Sequence, residues 1–81
     1  MFKAKVYITL KDSILDPQGT AVKKALESLE YKNIDELRIG KMVYIKINET
    51  DRQKAEAQLK NMCEKLLYNS VIENYTYELE G

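Results

Sequence analysis

The stretch best suited to hold a charged group is Asp16-Pro17-Gln18-Gly19, which lies between a strand-like run and a helix-like run. Upstream, Phe2, Ala4, Val6, Ile8 and Leu10 alternate with Lys3, Lys5, Tyr7, Thr9 and Lys11, the period of two expected of a strand buried on one face. Downstream, Val22, Ala25, Leu26 and Leu29 recur at helical spacing. A helix starting here would offer free N–H groups and the positive end of its dipole to an anion. The plainer use of the same four residues is a helix start, with Asp16 as cap, Pro17 in the first turn and Gly19 relaxing the backbone. Such caps begin many helices that bind nothing.

Little else in the chain has the makings of chemistry. There is no histidine, so serine–histidine and cysteine–histidine nucleophile pairs are excluded. The single cysteine, Cys63, can form neither a metal cluster nor an internal disulfide, and is expected to be a half-buried structural residue beside a helix's core stripe. The three glycines, at 19, 40 and 81, are too far apart for a phosphate loop or a dinucleotide fingerprint. The carboxylates Asp35-Glu36, Asp51 and Glu78-Glu80 read as edge or surface charge rather than as an acid–base pair.

These limits agree with the composition. Eighty-one residues make one small domain, 1–81, whose core is marginal without a partner or a second copy. Thirteen basic and 13 acidic residues leave no net charge, which argues against generic binding to nucleic acid or acidic membranes. No run is long enough to span a membrane, and Lys3 and Lys5 interrupt the apolar start, so no signal peptide is expected. With one cysteine, the expected location is a reducing cytoplasm.

Pattern reading predicts six elements to position these residues. A first strand over about 2–11 is followed by a helix over about 17–31. A second strand over about 34–40, with Leu37 and Ile39 inward, turns at Gly40-Lys41 into a third over about 42–49, with Val43, Ile45 and Ile47 inward. Asp51 then caps a second helix running to about Leu67, whose stripe is Ala55, Leu59, Met62 and Leu66. A last strand covers about 72–80, with Tyr75, Tyr77 and Leu79 on one side. This order predicts an α+β fold, a ferredoxin-like βαββαβ unit: a four-stranded antiparallel sheet in the order 4-1-3-2 with two helices on one face.

The other face would be open, with Lys3, Lys5, Tyr7 and Thr9 beside Tyr44 and Lys46. RNA-recognition domains of this topology stack bases on aromatics in the same two strands, but Met42–Asn48 lacks their basic, Gly-Phe-rich signature. Tyr7 and Tyr44 are instead candidates for a dimer interface, since tyrosine brings large apolar area with a polar tip. Packing of the two rings on the stems of Lys5 and Lys46 would serve structure alone.

Several ordered blocks resemble PurS, the small-subunit family of phosphoribosylformylglycinamidine synthase. They are Leu15-Asp16-Pro17-Gln18-Gly19 with Val22 and Ala25-Leu26, Arg38-Ile39-Gly40-Lys41, Met62-Cys63-Glu64-Lys65-Leu66-Leu67, and Asn69 followed by Val71-Ile72-Glu73-Asn74-Tyr75. The likeness spans essentially the whole chain. It departs at Tyr68-Asn69-Ser70, where family members often have alanine before the asparagine and proline after it.

The resemblance implies a subunit without catalytic activity of its own. It would bridge a large synthetase subunit and a glutaminase subunit in the ATP- and glutamine-dependent conversion of formylglycinamide ribonucleotide to the amidine, and support ammonia transfer. ATP and Mg would be used by the synthetase partner, and this chain would carry no cofactor. A homodimer is also implied. Within the matching blocks, Asp16, Gln18, Arg38, Lys41 and Asn69 are the candidate partner-binding residues, placed at loops and strand ends where directed hydrogen bonds are available. A stand-alone dimeric ligand-sensing domain of the same fold is the alternative, and binding of a small effector by the isolated chain would distinguish it.

Overall fold

The computed structural model describes all 81 residues, Met1–Gly81. The alternation at the start produces β1 (Phe2–Leu10), whose residues are buried and exposed in turn. It is the central strand of a three-stranded antiparallel sheet ordered β2-β1-β3, in which β2 covers Gly40–Ile47 and β3 covers Glu73–Glu80. Between them lie helix α1 (Pro17–Ser28) and helix α2 (Arg52–Met62), the latter continued by one π-helical turn over Cys63–Leu67. The α+β class is as expected.

Strand register fixes the two faces. Ala4 lies opposite Ile45 and Leu79, and Val6 opposite Val43 and Tyr77, so all six point to the helix side. There, Phe2, Ala4, Val6, Ile8 and Ile47 form the buried core with Ala55, Leu59 and Cys63 of the α2 segment. The α2 stripe therefore runs Ala55–Leu59–Cys63, at i, i+4 spacing. Met62 and Leu66, expected inward, are 37% and 83% exposed, and Cys63 is fully buried rather than half-buried. α2 leans toward β3: the Tyr77 hydroxyl donates to Glu56 Oε2 at 2.7 Å, and Arg52 Nη2 donates to the Leu79 carbonyl at 2.9 Å.

The four-stranded sheet is not what this chain forms. Residues 34–39 are in neither strand nor helix, and no turn separates them from β2. A two-residue hairpin at Gly40-Lys41 would need positive φ, yet no glycine in the chain has it, and both residues already pair with β1 opposite Thr9 and Ile8. The segment thus runs straight into β2 and cannot fold back on it. No backbone amide of residues 33–38 has a hydrogen-bond partner within the chain.

α1 is also not where a closed ferredoxin-like layer needs it. Its only buried residue is Gly19, while Val22 is 38% and Leu29 67% exposed. Its C-terminus closes as a Schellman motif: the Glu30 amide donates to Glu27, the Tyr31 amide returns to Leu26, and Glu30 takes the left-handed position at φ 76°. The helix therefore ends at Ser28, short of the expected residue 31. Residues 35–39 return alongside it, with Lys23 Nζ on the Asp35 carbonyl at 3.1 Å and the Ile39 amide on Asp16 at 2.8 Å. Together they form an arm that draws the molecule out to 50 × 25 × 14 Å, with a radius of gyration of 16.2 Å. A globular chain of this length has about 12 Å.

Candidate functional site

Asp16 organises the base of the arm. Its Oδ1 accepts from the Gly19 amide at 3.0 Å, capping α1, while Oδ2 accepts from the Ile39 amide at 2.8 Å. Pro17 occupies the first helical turn, where no amide is needed, and the Thr20 amide and hydroxyl both donate to the Asp16 carbonyl. The residue is 5% exposed. The Gly19 amide first, then the Ile39 amide, holds its carboxyl below the usual carboxylate range, with the Arg38 charge adding to the effect. The positive end of α1 is thus already matched by a carboxylate of this chain, which answers the anion-site reading: Asp16 fills it.

Gly19 is required by a close approach. A Cβ there would meet the Leu37 carbonyl at 2.9 Å as well as the Asp16 carboxylate. Arg38 completes the base, one guanidinium nitrogen (Nη2) donating to the carbonyls of Lys11 at 2.9 Å, Ile14 at 3.0 Å and Leu10 at 3.4 Å. The Leu10 carbonyl ends β1 and those of Lys11 and Ile14 belong to the loop between β1 and α1, so the arginine ties down the backbone there. Both carboxylate oxygens of Asp16 and one guanidinium nitrogen of Arg38 are thus engaged inside the chain.

The other three candidates remain at the surface and gather at the same end of the sheet. Gln18 and Lys41 line a shallow cavity of about 260 Å³ with Glu73, over Ile8 and Leu10. Lys41 Nζ is 3.9 Å from Glu73 Oε2, and Glu73 Oε1 accepts from the Asn69 amide at 2.7 Å. The Asn69 side chain accepts from the Val71 amide at 2.9 Å, shaping the turn into β3. Three of the four matching sequence blocks, far apart along the chain, are thereby joined in one surface. Glu73 is the member that sequence reasoning missed as a site residue; its place in the last block beside Asn69 was the available signal.

The open sheet face forms the second surface. Tyr7 sits between Met42 and Thr76, and Lys5 between Tyr44 and Glu78. Tyr7, Tyr44 and Met42 are 37%, 48% and 54% exposed, an apolar strip edged by charge. Nearby, Lys3, Lys5, Tyr44, Glu78 and Glu80 surround a hollow of about 240 Å³. No group of three or more acidic or cysteine side chains is placed to hold a metal ion. Burial, aided by the charge of Glu64, pushes the Cys63 thiol up, so it is a poor nucleophile. Neither surface brings a nucleophile to a base; both offer hydrogen bonds, charge and apolar area, the materials of protein contact. No helix is long and apolar enough to cross a membrane.

Comparison with known proteins gives the same family from both sequence and structure. Residues 3–81 match the family model described as PurS, phosphoribosylformylglycinamidine (FGAM) synthase. The chain is 51% identical over 80 residues to phosphoribosylformylglycinamidine synthase subunit PurS of Bacillus subtilis, covering 99% of this chain and 94% of that protein. Its structure resembles PurS of Methanocaldococcus jannaschii, one of the subunits of formylglycinamide ribonucleotide amidotransferase in the purine biosynthetic pathway, with a TM-score of 0.85, 39% identity and coverage of 99% and 96%. It also resembles a chain of the PurLQS structure of Thermotoga maritima, with a TM-score of 0.89, 26% identity and coverage of 98% and 96%.

Proposed function

The chain belongs to the PurS family of phosphoribosylformylglycinamidine synthase, a subunit of a purine-biosynthesis complex, and on that premise we propose that it is the non-catalytic bridge between the synthetase and glutaminase subunits. In this role it works as a homodimer in the cytoplasm and supports the passage of ammonia from glutamine to formylglycinamide ribonucleotide. It needs no cofactor of its own, and ATP and Mg serve the synthetase.

The observation that carries this reading is the whole-chain likeness to a chain of the PurLQS structure, together with two surfaces suited to contact rather than catalysis. The cluster of Gln18, Lys41 and Asn69 around Glu73 offers directed polar contacts on a base stiffened by Asp16 and Arg38. Tyr7, Met42 and Tyr44 offer rigid aromatic and apolar area on the opposite face. Both are assigned to the larger subunits.

The test is reconstitution of the purified chain with the matching synthetase and glutaminase. Glutamine-dependent amidine formation should require all three, while the chain alone shows neither glutaminase nor ATPase activity. Full glutamine-dependent synthesis without this chain, or activity that stays with it when pure, would overturn the proposal.

A further inference from the structure

The open sheet face carries charge that its own sheet does not use, and that charge has a direction. Two of the rows that cross β2, β1 and β3 are charged: Lys46–Lys3–Glu80 and Tyr44–Lys5–Glu78. The next row, Met42–Tyr7–Thr76, is the apolar one, and Gly40–Thr9–Asn74 beyond it has no charge. Positive charge therefore lies over β2 and β1, and negative charge along the β3 edge. None of these lysines and glutamates is in an ion pair, the chain's two being Lys32–Glu30 and Lys41–Glu73. In one place the arrangement works against the sheet. Lys46 stands directly opposite Lys3, and like charges so placed destabilise a strand pair. An acidic residue at 46 would serve this chain better.

A second copy does not complement this pattern. About a two-fold axis along β1, Lys3 and Lys5 would each face their own copy. About an axis across the strands, the row of Lys46, Lys3 and Glu80 would face the uncharged row of Gly40, Thr9 and Asn74. The first opposes charge and the second leaves it unmet, so the complement is a surface of different sequence. We propose that the face takes a segment of the synthetase subunit that is apolar over Met42, Tyr7 and Tyr44, acidic over Lys46, Lys3 and Lys5, and basic over Glu78 and Glu80. Apolar contact holds the segment, and the charge boundary between β1 and β3 sets its direction, because the reversed placement would bring like charges together. The inference rests on the bridge reading above and adds to it the chemistry and orientation of the partner's surface.

Binding of the synthetase subunit is measured for the unmodified chain and for two variants. Lys46→Glu removes the like-charge pair with Lys3, so the thermal midpoint should stay equal or rise while the dimer mass is unchanged. The same variant should nevertheless bind the synthetase about five-fold or more weakly at about 50 mM salt, and the loss should shrink as salt rises to about 500 mM. A purely structural role for Lys46 would not separate stability from binding in this way. The second variant combines Lys3→Glu, Lys5→Glu, Glu78→Lys and Glu80→Lys. It keeps the net charge and both cross-strand couples of opposite sign, and reverses only the direction of the face. It should fold as the unmodified chain does and bind the synthetase about ten-fold or more weakly. Undiminished binding by Lys46→Glu overturns the proposal, whether or not the combined variant folds. A loss of dimer mass, or a loss that falls on the glutaminase instead, overturns it as well. If the unmodified chain binds neither larger subunit, the bridge reading itself fails. If it binds the synthetase and the variants bind equally well, only the direction of the face fails.

Discussion

Asp16 does two jobs with one carboxylate, and both are lost when it is protonated or made apolar. It caps α1 through Gly19 and holds the start of β2 through Ile39. Its folded-state pKa lies below its ordinary value, so the native state binds fewer protons than the unfolded chain in the acid range. The stability this supplies is present above the unfolded pKa of about 3.9 and is lost as pH falls through the lowered folded value. Asp16→Ala should therefore lower the thermal midpoint at pH 7 by about 5 °C, with the difference from the unmodified chain shrinking toward pH 2; an equal difference at both pH values would contradict the assignment. Arg38 acts on the same loop from the other side. Arg38→Ala leaves the Ile14 carbonyl without its donor, takes one of two from the Lys11 carbonyl, and should cost about 1–3 kcal/mol in urea unfolding. The capping by Asp16 was legible from the sequence, but its bond to Ile39 and the bonds of Arg38 were not. Spacing shows that a polar residue sits at a loop; it does not show whether a backbone donor or acceptor 23 or more residues away will claim it.

Among the elements, the most legible were those whose burial is decided locally. β1 and β3 alternate strictly, and α2 begins at the cap Asp51, whose side chain accepts from the Gln53 amide. The strand expected over 34–40 failed for a reason that a single-chain reading cannot see. Its apolar pattern is genuine, but a strand needs an edge to pair with, and the geometry at Gly40 denies it the edge of β2 in its own chain. The α2 stripe was misread by one position because Met62 and Cys63 are adjacent apolar residues, and only packing decides which of them points inward. The end of α1 was misplaced because the stop is a left-handed Glu30 rather than a glycine. A side chain in that conformation costs about 1 kcal/mol, so Glu30→Gly should stabilise the chain by up to about that amount. Equilibrium denaturation with an unchanged m-value would register it; a destabilised variant would mean that the exposed ion pair with Lys32, at 3.8 Å, matters more than the backbone.

At the scale of the whole molecule, the chain is long for its size because the arm of residues 16–39 extends away from the sheet. On the helix side, Val43 and Ile45 of β2 are only partly buried, and Val22 and Leu29 of the α1 segment are exposed. The open side is complete as a sheet, since β1 is paired on both edges and its outward residues form cross-strand rows: Tyr7 with Met42 and Thr76, Lys5 with Tyr44 and Glu78, Lys3 with Lys46 and Glu80. That face needs no second copy to finish a layer, and its exposed apolar area is confined to Met42, Tyr7 and Tyr44 within a charged border. Interfaces concentrate binding energy in such rigid aromatic centres, with the charged rim setting orientation and rate. Tyr7→Ala combined with Tyr44→Ala should therefore leave the far-ultraviolet spectrum and the dimer mass unchanged, because neither ring belongs to the buried core. The same variant should bind the synthetase subunit about ten-fold or more weakly and lose glutamine-dependent synthesis at low subunit concentration, regaining it as the concentration rises. Titration calorimetry and a rate titration measure the two effects separately. If the double variant instead becomes monomeric while its helix-side surfaces are untouched, the copies meet through the open face, and the arms are left for the larger subunits.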